Sequence, residues 1–245
     1  MELTKSQLID FLNRPKPLWL NGLDLSEGKL SGANFQDANL ENTNLTKTDL
    51  SDVIMSGAKL TGANLENAFL LGTDFENADL TGARLPGAFL FGTNFTGANL
   101  ERIDLREAKL DRNAIFSYAK LANANLSGMD LERFIFCSTN FSRANLSKTI
   151  LAKAVLIQAE CESANLEEAV LLQAILTDAD FRNANLKSAN FVGACLIRTN
   201  FSNADLRGAD FRYSFMYEPN FDNAILDNAQ MPDPTQSPMP PVTNF

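Results

Sequence analysis

The sequence predicts an all-β solenoid, in which short extended segments turn a corner every five residues and stack coil upon coil. The first sign is spacing: from Leu20 to Leu110 every fifth residue is Leu, Phe or Met, as in LSGANFQDANLENTNLTKTDL, where Leu30, Phe35, Leu40, Leu45 and Leu50 keep the interval. A period of five fits neither the 3.6 of a helix nor the 2.0 of a strand, so each unit is a short extended piece followed by a turn. The second sign is a longer interval of twenty. Phe35, Met55, Phe75 and Phe95 form one series, and Leu25, Leu45, Leu65, Leu85 and Leu105 another. Four units therefore complete a coil, and each wall stacks like on like.

Within a unit, the residue two before the large apolar one is usually small, for example Ala33, Ala38, Thr43, Thr48, Ala58 and Ala63. Alternate residues of an extended segment share a face, so both members of the pair point inward. Asn, Asp and Gly are rich at the remaining positions and tolerate the turn conformations of a corner. There are 19 inward large positions from Leu20 to Leu110 and 24 from Phe116 to Met231. At four per coil and ~4.8 Å per coil this makes about 11 coils and a rod ~50 Å long.

These units, read as A-(D/N)-L-x-x over residues 20–231, resemble the pentapeptide repeat family. The resemblance implies a right-handed quadrilateral β-helix. It also implies one class of partner, because some members of the family mimic duplex DNA in shape and charge and bind DNA gyrase or a related topoisomerase as inhibitor or protector.

The interval slips once. In AKLDRNAIF the inward Leu110 and Phe116 are six apart, which places one extra residue among positions 111–113. The bulky series resumes at Phe116 and Phe136, so a corner bulge in one solenoid is expected. An open stack needs caps. Residues 1–19 offer one: Thr4 and Gln7 form a capping box, and Leu8, Ile9, Phe11 and Leu12 make a short helix that stops before Pro15. Residues 232–245 hold five of the nine prolines and read as an extended, flexible tail.

The same sequence argues against catalysis. With no histidine among 245 residues, the usual general base and metal ligand are missing. Of the three cysteines, Cys161 falls at an inward position and Cys137 and Cys195 at outward ones, with no CxxC. Glu167 and Glu168 are consecutive outward residues at a corner. Gly57, Gly62, Gly72, Gly82 and Gly87 are corner residues rather than a phosphate loop, and the N-x-S/T sequons follow from the repeat itself. The expectation is a protein without enzymatic activity, cofactor or metal. The N-terminal stretch is too polar for a secretory signal, and no run approaches the ~18 apolar residues of a membrane span. A cytoplasmic, bacterial protein is expected. A net charge of −9 disfavours direct contact with nucleic acid or an anionic membrane.

What distinguishes the walls is their outside. The outward residue just before each inward one gives two polar faces, one through Asn44, Asn64, Asn125, Asn145 and Asn165, the other through Asn39, Asp79, Asn99, Asn140 and Asp180. The other two faces change character. One carries Ile115, Ile135, Val155 and Ile175, with Ile157 and Ile197 beside it; the adjacent one carries Phe69, Phe89, Ile150 and Val170, with Leu71, Phe91, Leu172 and Val192 alongside. These fourteen residues are predicted to form an exposed apolar wall, larger than a monomer usually shows. A plain preference of β-branched residues for extended segments is the competing account, although the two polar faces are equally extended and hold almost none.

The reading is a regulatory binding module whose apolar wall docks a protein partner or a second copy. The DNA-mimic alternative fits less well. Duplex DNA carries one charge per ~1.7 Å, or about 30 over ~50 Å, against a net charge of −9 here, with Arg182, Lys187, Arg198, Arg207 and Arg212 interleaved among the acids.

Overall fold

Rungs of extended backbone recur every five residues in the computed structural model, and each pairs in parallel with the corresponding rung of the next coil: Asp24 lies beside Asn44, Asn44 beside Asn64, and Asn64 beside Arg84. The structure describes residues 17–233. The expected helix over Thr4 to Leu12 and the proline-rich tail from Pro234 lie outside the described residues.

The repeat builds these rungs because most of their backbone groups find partners, many of them in a neighbouring coil. An inward residue donates its N–H forward to a carbonyl of the next coil, as Leu60 does to Asp79 at 2.6 Å. The residue before an inward one donates backward instead, as Asn64 does to Thr43 at 3.0 Å. At the corner, Ala63 N–H closes the turn on Leu60 O at 2.9 Å. The residue preceding it turns with a left-handed backbone, φ 67° at Gly62 and 54° at Asn42 one coil earlier. The described residues form two compact units that divide between Ala124 and Asn125.

In the first unit the inward leucines, such as Leu40, Leu60 and Leu80, are fully buried beside the small residues two before them. One aromatic column runs through them, Phe75 on Phe95 at 5.4 Å and Phe95 on Phe116 at 5.1 Å. Where the small residue is threonine, its hydroxyl donates to a carbonyl of the preceding coil: Thr43 to Leu20, Thr48 to Leu25, Thr73 to Leu50 and Thr93 to Leu70, at 2.8–2.9 Å. Two-residue strands β1 (Phe89–Leu90) and β2 (Lys109–Leu110) pair in parallel.

Just after β2 the interval slips. Asn94 pairs with Ile115, one position beyond the partner that the register of every earlier rung would give it. Asp111 repairs the ladder with its side chain. Its Oδ1 accepts the Gly92 N–H at 2.8 Å, and its Oδ2 accepts from Asn113 Nδ2 at 2.7 Å. Desolvation pushes the Asp111 carboxyl up, but the donors Gly92, Asn113 and Ala114 outweigh it and hold the group below the usual carboxylate range. Leu110, read as inward, is only half-buried, because the coil loosens at this point.

The second unit is more aromatic inside. Phe181, Phe201 and Phe221 stack along one wall at 5.5 and 5.2 Å, Phe191 and Phe211 stack along another at 4.7 Å, and the two columns meet edge to face at 5.6–6.5 Å. Cys161 is fully buried, as its inward position requires. Strands β3 (Cys195–Ile197) and β4 (Phe215–Tyr217) pair in parallel. Four residues read as inward depart from expectation: Met216 and Phe221 are half-buried, and Leu226 and Met231 are exposed. They belong to the last described coil, and no further described rung covers them.

Candidate docking surface

Each unit carries its own group of outward apolar side chains, and none of the fourteen residues singled out from the sequence is buried. In the first unit, Phe69 and Phe89 occupy consecutive rungs of one wall. A spacing of about 4.8 Å between rungs suits face-to-face stacking of rings, and the two rings stack at 5.0 Å, 8° from parallel. Phe91 meets Phe89 edge-on at 6.2 Å, and Lys109 Nζ stands 4.2 Å above the Phe89 ring. Leu71 and Phe91 sit at the corner, each followed by a glycine. The Phe69, Leu71 and Phe91 side chains are 37–42% exposed. On the neighbouring wall Ile115 is exposed, and so is Ile54, which sequence reasoning missed because it stands alone between Asn34 and Asp74 in its column. Trp19 was missed too, lying before the regular repeat, and is the most exposed large apolar residue described, at 68%.

In the second unit Ile135, Val155 and Ile175 form consecutive rungs of one wall, and Ile150 and Val170 of another. Ile135 and Ile150 are exposed, whereas Val155, Ile157, Val170, Leu172, Ile175, Val192 and Ile197 are half-buried by their neighbours. This group is aliphatic and β-branched, in contrast to the aromatic first group. Cys195 corrects the sequence reading: it holds an outward position but is only 3% exposed. Its short side chain lies between the Ile175 and Phe215 rungs, with Thr177 Oγ1 3.9 Å from Sγ, and the larger neighbours close over it. Cys137, at the corner beside Ile135, is partly exposed, and burial pushes its thiol up.

Some acids of the outer surface are held by arginine. Arg106 grips Asp104, Arg198 grips Asp178, Arg207 grips Asp205 and Arg212 grips Asp210, each with a closest contact of 2.6 Å. The guanidinium hydrogen bond is the main reason that all four carboxyls lie below the usual range, with desolvation opposing it. Among the described residues no group of three or more His, Cys, Asp or Glu could hold a metal ion, and no helix is long and apolar enough to cross a membrane.

Comparison with known proteins agrees with this geometry. A family model described as pentapeptide repeats matches eight copies between residues 20 and 233. No curated protein matches. Among solved structures, HetL, a pentapeptide repeat protein involved in heterocyst differentiation regulation from the cyanobacterium Nostoc sp. strain PCC 7120, is similar at 28% identity and a TM-score of 0.52, over 95% of this chain and 98% of that one. Rfr23 from the cyanobacterium Cyanothece 51142 is 27% identical over 58% of this chain and 90% of its own, with a TM-score of 0.26. Trypsin-treated QnrB1, a plasmid-mediated fluoroquinolone resistance protein, is 20% identical over 89% and 91% of the two chains, with a TM-score of 0.39.

Proposed function

Because the chain belongs to the pentapeptide repeat family, whose members form right-handed quadrilateral β-helices, we propose that it is a non-enzymatic binding module, acting in the cytoplasm, that docks a protein partner on its outward apolar residues and regulates it. The observation that carries this reading is the Phe69–Phe89 stack with Phe91 on its edge. Large aromatic rings at outward rungs contribute nothing to the core. Phe69 and Phe91 are about two-fifths exposed, so covering one of them with a partner is worth about 1 kcal/mol, and aromatic residues dominate the hot spots of protein interfaces. The likeness to HetL, whose own description is regulatory, supports the same class of role.

The test uses the purified chain as bait in lysate of its host, beside two variants. One carries Phe69→Ser and Phe91→Ser; the other carries Val155→Asp, Ile157→Asp and Ile175→Asp. Circular dichroism confirms that both fold. A captured protein that is lost with either variant, and that rebinds the wild-type chain when purified, supports the reading and says which group docks it. Sedimentation of the bait alone distinguishes a second copy as the partner. Capture unaffected by both variants refutes it. If gyrase subunits were captured equally by all three baits, the DNA-mimic reading would replace this one, although a net charge of −9 falls well short of the about 30 charges carried by ~50 Å of duplex.

A further inference from the structure

Away from the apolar groups, the first unit carries an open surface cavity of about 280 Å³ lined by the paired Arg84 and Asp104 rungs and the corners beside them. Two features of the chain open it. The corner at Gly82 carries no side chain, and nothing lies within 4 Å of the place a Cβ would occupy. One corner bond of the ladder also shifts. Gly82 N–H bonds Glu101 O, whereas Gly87 N–H at the next corner bonds Glu107 O, one position further along than the register at Gly82 would place it. Only this corner bond is displaced: the rungs on either side, Arg84 with Asp104 and Phe89 with Lys109, keep the interval of twenty. The resulting space is slightly below the usual range of ligand pockets, about 300–1,000 Å³, and suits a small ligand.

Two arginines without an ion pair among the described residues meet at it. Arg106, Arg133, Arg182, Arg198, Arg207 and Arg212 each hold a carboxylate. Arg84 and Arg102, from successive coils, both line the cavity and have no ionic partner among the described residues. One lining carboxylate, Asp104, is committed to Arg106, with Nε 3.0 Å from Oδ1 and Nη2 2.6 Å from Oδ2. Counting Arg106, three guanidinium groups stand against Asp104 and Glu107. A guanidinium presents a planar fork of donors that matches an oxyanion, and two such forks from different coils can grip one from two sides.

We propose that this cavity binds a small oxyanion, the phosphate or carboxylate group of a ligand, through Arg84 and Arg102, with Glu107 at the rim opposing a second negative charge. The experiment titrates inorganic phosphate into the full-length protein at constant ionic strength, following the arginine Nε–H resonances. Saturable shifts at Arg84 and Arg102 are expected. Arg84→Ala or Arg102→Ala should weaken binding by about tenfold or more, the worth of a charged hydrogen bond. Glu107→Gln should strengthen it. Arg143→Ala, which removes another guanidinium with no ion pair from outside the cavity, should leave it unchanged. Acetate in a parallel titration separates the sources: tighter binding of acetate points to a carboxylate ligand, tighter binding of phosphate to a phosphorylated one. Arg84→Lys, which keeps the charge and loses the fork, replaces the alanine variant if circular dichroism shows that one unfolded. No saturable shift with either anion, or anion binding of undiminished strength measured by calorimetry on a folded protein in which both arginines are replaced, overturns the proposal.

Discussion

The two units build the same corner from different amino acids. Among the described residues, nine of the nineteen left-handed corner positions up to Ala124 are glycine and six are Asn or Asp. From Asn125 onward only three of twenty-one are glycine and five Asn or Asp; the other thirteen are Arg, Lys, Gln, Glu, Ser or Tyr. A left-handed backbone costs a residue with a Cβ about 1–2 kcal/mol, less for Asn and Asp. The first unit avoids most of that cost and the second bears it. The corner is thus imposed by the hydrogen-bonded ladder and the inward side chains on either side of it, and the corner residue need only comply. The second unit's stacked phenylalanines offer a compensating gain, since aromatic pairs contribute about 0.5–1.5 kcal/mol beyond the area they bury.

Core truncation should break this comparison most forcefully. Phe201→Ala removes a ring stacked between Phe181 and Phe221 and edge-on to Phe191 and Phe211, and should destabilise the protein by about 3–5 kcal/mol. Phe75→Ala, which loses one recorded ring partner, Phe95, should cost less in the same denaturant titration. A larger loss at Phe75 would show that the aromatic columns do not set the second unit apart.

Glycine corners sharpen it next. In the first unit Asn or Asp stands one coil before glycine at Asp37/Gly57, Asn42/Gly62, Asp52/Gly72, Asn67/Gly87 and Asn77/Gly97, and each side-chain oxygen crowds the place a Cβ would take. At Gly62 the Asn42 Oδ1 would be 2.6 Å away, whereas Gly128 in the second unit has nothing within 4 Å. Gly62→Ala should therefore cost more than the roughly 1–2 kcal/mol of backbone strain expected for Gly128→Ala, and the excess should vanish when Gly62→Ala is compared against Asn42→Ala as background, which carries its own left-handed strain at φ 54°. The reverse change, Lys148→Gly at a left-handed corner of the second unit (φ 59°), should stabilise by about 0.5 kcal/mol, because relief of strain exceeds the added freedom of the unfolded chain. Thermal unfolding of each variant measures these differences.

The smallest effect is electrostatic. Asp205 and Asp210 have depressed carboxyl pKa values, caused first by Arg207 and Arg212. A depressed value adds stability above the unfolded carboxyl's pKa of about 3.9 and loses it as pH falls toward the folded value. Stability should decline from pH 5 to pH 2, and Asp205→Asn should flatten that decline slightly. A steeper decline in the variant would contradict the assignment.

Much of the fold was legible because a five-residue interval admits few structures. The sequence identified the buried leucines, the inward Cys161 and the outward Phe69, Phe89 and Ile135 from position alone. Position fails where size or neighbours decide: Cys195 is buried at an outward site because Ile175 and Phe215 outreach it, and Leu226 is exposed at an inward one because no described coil lies beyond. The Arg84 and Arg102 cavity escaped notice because it lies at a bare glycine corner, Gly82, and at a displaced corner hydrogen bond from Gly87 to Glu107, neither of which disturbs the five-residue interval. The pairing of Asn or Asp with the glycine one coil later is a signal that could have been read, since it recurs five times before Ala98.

Pairing at a constant interval of twenty also limits how such a chain can change length. Within the second unit, removing a full set of four rungs, for example residues 151–170, would leave every later side chain on its original wall and only shorten the stack. Removing a single five-residue unit would turn everything downstream by a quarter revolution, moving the Ile175 rung onto the wall of Ile150 and Val170 and the Asp180 rung to where Ile175 now lies. The molecule can therefore lose or gain whole storeys while keeping its orientation, but a single lost pentapeptide re-addresses every surface beyond it.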